Sequence, residues 1–117
     1  MSVRKARRLL KEAELDLAYG NFNKCASAAY FSVRMMAEVF LLSRRLAIPR
    51  RDDKLANLVE NIGLREVALS MRRLYDLRKK ADYFSQEVSE EEAREALDLA
   101  RKSFEALEDL LDQGGIP

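Results

Sequence analysis

Histidine is missing from these 117 residues, and so is tryptophan. Without His there is no imidazole to move a proton near neutral pH, and no Ser–His or Cys–His nucleophile pair. The same absence, with only one cysteine, leaves no ligand set for zinc, and no other metal spacing is present. A lone cysteine also excludes an internal disulfide; Cys25 lies in an apolar stretch and reads as a small core residue. Four glycines and two prolines leave little to interrupt helix, and no alternating strand pattern appears. There is no Gly-rich phosphate loop and no paired-carboxylate signature, so no cofactor is expected. Met1–Lys11 is basic, but no apolar segment follows it, so a secretory leader is not expected and a cytoplasmic location is.

What is present is Ala, Leu, Glu, Lys and Arg in long runs, which favours helix throughout one domain, residues 1–117. Asn21–Ala47 is the centre of the pattern. From Cys25 to Leu42 it is apolar or small nearly all round, broken only by Arg34 and Glu38, four apart and able to pair on a helix. Such a helix must be covered on every side, by other helices of the chain or by a second copy. The length would suit a membrane span, but the central Arg and Glu and the amphipathic neighbours argue against one.

Around it, spacing predicts a first helix from an N-cap at Ser2 to Tyr19, stopped by Gly20, then the central helix from a cap at Asn21 or Asn23 to about Ala47, before Pro49. A short third helix is expected from a cap at Asp52 or Asp53 to near Asn61. A fourth starts near Leu64 or Arg65, and a fifth runs from Ser89 to about Asp112. Ser89-Glu90-Glu91-Glu92 reads as a capping box. The expected architecture is all-α: an up-and-down four-helix bundle with one additional short helix.

Charge is nearly balanced but unevenly placed, with eleven Lys/Arg against four Asp/Glu in residues 1–51 and three against nine in 89–117. An antiparallel hairpin of the first two helices would gather Arg4, Lys5, Arg7, Arg8, Arg44, Arg45, Arg50 and Arg51 at one end. That surface suits a polyanion; the plainer reading is a solvated face that attracts the acidic end of the chain. Arg78 falls on the inward stripe of the fourth helix and needs a carboxylate or an anionic ligand, Asp82 and Glu38 being the candidates. Tyr30, Arg34 and Glu38 share one face of the central helix and either line a cleft with Arg78 or satisfy one another.

Two local patterns, Ala29-Tyr30-Phe31-Ser32-Val33-Arg34-Met35-Met36-Ala37 and Leu74-Tyr75-Asp76-Leu77-Arg78-Lys79-Lys80-Ala81-Asp82-Tyr83, precede the Ser-Glu-Glu-Glu start of the last helix. In order and spacing they resemble the HEPN family of small all-helical domains, over nearly the whole chain. The resemblance implies a homodimer that pairs its second and fourth helices around a cleft, and a partner, a minimal nucleotidyltransferase, in a toxin–antitoxin pair. Active members are metal-independent ribonucleases using an Arg, four to six residues, then a His. The Arg carries over to Arg78; the His would fall on Tyr83, Phe84 or Ser85, and none is His. A phenol with a pKa near ~10 is a poor substitute. The Tyr that receives nucleotides in some members lies two residues past the His, at Ser85 here if Tyr83 stands for it.

The expectation is therefore a non-catalytic HEPN-type homodimer, with a cleft of Arg78, Asp82, Tyr83, Tyr30, Arg34 and Glu38 that binds nucleotide or RNA phosphate. The rival readings are a ribonuclease in which Tyr83 replaces the His, and a purely structural helical dimer. In the latter, Arg78–Asp82 is only an intrahelical pair and Tyr83 only packs a helix end.

Overall fold

Ser2 opens the first helix as its side-chain oxygen accepts from the Lys5 amide at 3.0 Å, and α1 runs Val3–Ala18. In this computed structural model, which describes residues 2–83 and 86–114, four further helices follow. They are α2 Phe22–Ser43, α3 Asp52–Asn61, α4 Arg65–Tyr83 and α5 Glu90–Gly114. No strand occurs among the described residues. Four long helices form the bundle and α3 is the short addition, lying against α4.

Helix α2 is the core. It is long and apolar enough to cross a membrane, but α1, α4 and α5 all pack on it. Ten of its 22 residues are buried, which leaves one side open. That side carries Ala28, Phe31, Met35, Val39 and Leu42, at spacings of three, four, four and three, so they form one stripe. Phe31 and Leu42 are 39% and 50% exposed. On the covered side lies Cys25, its thiol against the Ala93 carbonyl at 3.7 Å. Burial, with a smaller push from Asp16, raises its pKa to about 11, so it is an inert thiol at neutral pH.

The end of α2 departs from the expectation of Ala47. The helix stops at Ser43, Arg45 turns into the left-handed region at φ 61°, and the Leu46 and Arg45 amides return to the carbonyls of Leu41 and Leu42. This is a Schellman ending with Arg where Gly is usual. Left-handed backbone costs a non-Gly residue about 1–2 kcal/mol, partly offset by glycine's own entropy. Arg45→Gly is accordingly expected to raise stability by about 0.5–1 kcal/mol, read as a higher thermal midpoint at unchanged helix content.

Because α2 ends early, residues 44–51 run back along it. Arg50 and Arg51 do not join the basic end: the Arg50 carbonyl accepts from Arg34, and Arg51 pairs with Asp53 at 2.9 Å. At the basic end itself, Arg7 pairs with Glu108 of α5, so the acidic end of the chain does meet the basic one. The expected caps shift too. Asp52 and Asp53 lie in the first turn of α3 behind Arg51, and Asn21 makes no side-chain cap bond. The Asn23 amide oxygen is used elsewhere, accepting from the Val88 amide at 2.9 Å.

The capping box forms as expected: Glu92 N–H donates to Ser89 Oγ at 3.1 Å, and Ser89 N–H donates to Glu92 Oε1 at 3.0 Å. Lys80 of α4 also donates to both Glu92 oxygens, at 2.9 and 3.0 Å. The Ser89 amide, then Lys80, hold the Glu92 carboxyl below its ordinary value of 4.5; Arg73 does the same for Glu95. A lowered folded pKa contributes stability that is whole above the ordinary value and is lost as pH falls through the folded one. Glu92→Gln is expected to cost about 0.5–1 kcal/mol at pH 7. In urea midpoints measured from pH 7 down to 3, that gap closes toward the acid end.

Candidate functional site

Met71, Tyr75, Arg78 and Asp82 step along α4 by four, three and four, so they share one face, which meets α2. Arg78 stands at the middle. Its side chain is 19% exposed, and its Nε lies 3.2 Å from Asp82 Oδ2. The contact is a charge pairing without hydrogen-bond alignment: among the described residues this buried Nε has no acceptor. Glu38, the other expected partner, is not involved; it pairs with Arg34 at 3.6 Å. Asp82 is held from its far side, where Ser27 Oγ donates to Oδ1 at 2.9 Å.

Three rings surround the guanidinium. Its carbon is 4.8 Å from the centroid of Phe31, 5.6 Å from Tyr30 and 5.8 Å from Tyr83. Cation–aromatic contact is worth about 0.5–1 kcal/mol at exposed sites and more where water is excluded. Tyr30 is buried, whereas Tyr83 is 69% exposed and reaches over the outer side.

Arg34 is a different case. It is 16% exposed and bonds Asp52, Glu38, the Tyr30 hydroxyl at 3.5 Å and the Arg50 carbonyl at 3.3 Å. Its fork is spent inside the protein, fastening α3 and the returning loop to α2. Burial pushes the Asp52 carboxyl above its ordinary 3.8, while the positive charge of Arg78 pulls it back. The six residues singled out in the sequence therefore fall into two linked groups, joined at Tyr30. Arg78, Asp82 and Tyr83 form one, and Arg34 and Glu38 the other. Ser27, Phe31 and Asp52 complete these groups; only Phe31 had a signal in sequence, as the residue after Tyr30. Among the described residues, no three His, Cys, Asp or Glu side chains gather where an ion could be held.

A family model of the HEPN domain matches residues 1–110. The chain belongs to the HEPN family. Comparison with curated proteins finds no match. Arg78, the position onto which the resemblance carries the family's arginine, packs from α4 against Tyr30 and Phe31 of α2. Of the positions where the family's His would fall, Tyr83 is beside Arg78, and Phe84 and Ser85 lie outside the described residues.

Proposed function

We propose that this HEPN domain is a homodimer that holds nucleotide or RNA phosphate on Arg78 without cleaving it, and serves as the partner of a minimal nucleotidyltransferase. The carrying observation is the state of Arg78: a mostly buried guanidinium, packed on Phe31 at the edge of the open α2 stripe, its Nε enclosed against Asp82 and its two outer nitrogens without a hydrogen bond among the described residues. A fixed cationic fork with a donor to spare suits a phosphate oxygen. Pairing two copies through the stripe would set two such forks on one seam, as the family's dimer cleft implies. The missing His supports a silent site, since the groups around Arg78 are carboxylate, phenol and hydroxyl. The toxin–antitoxin role rests on family likeness, and co-purification with a nucleotidyltransferase is its test.

Thermal melts with and without ATP or a short RNA test the phosphate site. Wild type is expected to melt several degrees higher with ligand, less so as salt rises, and labelled RNA is expected to stay intact. Arg78→Ala should lose the ligand shift while giving up about 2 kcal/mol of stability, chiefly its contacts with Phe31 and Tyr30, because Asp82 is partly wet and keeps Ser27. A wild-type melt that neither ligand moves would leave the structural dimer as the better reading.

A further inference from the structure

One turn along α4 from Arg78 is a cavity of about 290 Å³ between α2, the start of α3 and α4. Its walls are Tyr30, Ala56, Met71 and Tyr75, and its rim carries Asp52, Asp53 and Asp76. The size is at the small end of ligand pockets, which run from roughly 300 Å³ upward. Apolar walls with a few polar groups at the mouth are what a flat, edge-functionalised ring requires.

The rim groups are not equivalent. Asp52 is taken by Arg34, and both Asp53 oxygens are taken by the Arg51 fork, at 3.1 and 2.9 Å. Arg72, also on the rim, is turned to Asn57 and Glu60 of α3. Asp76 alone is open. Its nearest cation among the described residues, Lys79, stands 3.8 Å off, too far for a hydrogen bond. An open carboxylate accepts and cannot donate, so the ring that fits must present N–H groups, two side by side for both oxygens. Among the common bases guanine does this, with its N1–H and 2-amino group. Tyr75, half-buried with its ring 5.7 Å from Tyr30, carries Lys79 Nζ 4.7 Å from its centroid, and a base stacking on that face takes the place of this mobile surface cation.

We infer that this cavity is the base pocket of the Arg78 site and takes guanine, with Asp76 on the N1–H and 2-amino edge and Tyr75 beneath the ring. The inference rests on the phosphate reading of Arg78. Tyr75 and Arg78 are three residues apart, about 4.5 Å along the axis, so one face of α4 offers a ring site and a phosphate site in succession. A 5′-nucleotide has the same two parts, separated by its ribose.

Titration calorimetry of the purified full chain with guanosine, GMP, IMP, AMP and ribose 5-phosphate tests it, with the Met71 methyl resonance as a local reporter. GMP should bind about tenfold tighter than IMP, which lacks the 2-amino group, and more tightly still than AMP. Guanosine alone should shift the Met71 methyl. In Asp76→Asn the GMP-over-IMP ratio should fall below about twofold, with an unchanged melt because Asp76 is a surface group. Arg78→Ala should bring GMP down to the affinity of guanosine and leave the base preference intact. Equal binding of GMP, IMP, AMP and ribose 5-phosphate would overturn the base pocket and keep the phosphate site. Guanosine binding as well as GMP would keep the pocket and overturn the phosphate site. No binding of either would overturn both.

Discussion

Met35→Asp is expected to yield a folded protein of half the wild-type mass. The residue lies on the open α2 stripe, between Phe31 and Val39, and packs only partly against the core. A carboxylate there is solvated in one copy and buried against apolar neighbours in two. Burying it unpaired costs roughly 4 kcal/mol or more, about a thousandfold in the dimer constant. Light scattering at micromolar concentration should show a wild-type dimer and a variant monomer, with the same helix content by circular dichroism. Phe31→Asp is the less clean probe, since the new carboxylate would stand beside Arg78 and can pair with it. A wild-type monomer, or a Met35→Asp dimer, would remove α2 as the seam.

Arg34→Ala is expected to lower stability by about 2–3 kcal/mol, or roughly 8–12 °C in a domain of this size. Removing the guanidinium strands two carboxylates at once, Asp52 and Glu38, whose side chains are 22% and 17% exposed. Breaking a fully buried pair costs about 3–5 kcal/mol, and partial access to water reduces that. The Arg50 carbonyl also loses its donor, so the returning loop loosens with α3. The deficit should shrink on acidification. Burial already lifts Asp52 above 3.8, and without Arg34 the stranded Asp52 takes up a proton more readily as pH falls. A variant that melts within about 2 °C of wild type would show that Asp52 and Glu38 are solvated in its absence.

The contrast between the two arginines marks how far sequence reading reaches. Arg78–Asp82 and Arg34–Glu38 were legible because a helix fixes what stands four residues away. Arg34–Asp52 was not. It joins residues 18 apart, across a loop whose path depends on where α2 stops. Nothing in residue type announces that stop. Ser2, Gly20 and Ser89 declare their helix ends by chemistry, whereas Arg45 is a residue that seldom turns left-handed, and the nearest residue that forbids helix, Pro49, would let α2 run four residues further, to Ala47. Placing Arg50 and Arg51 at the basic end followed from that one error. The rings around Arg78 and the cavity beside Tyr75 depend on the register of α2 against α4, which is a property of packing and not of either helix alone.

The doubly used carboxylate of Glu92 has a consequence for how the bundle breathes. A helix terminus ordinarily frays by itself, at little cost to its neighbours. Here the group that closes the first turn of α5 is also the anchor of Lys80 in the last turns of α4. Releasing either helix end forfeits part of the other. The two termini should therefore open as one unit, and amide protons at the end of α4 and the start of α5 should exchange with solvent together.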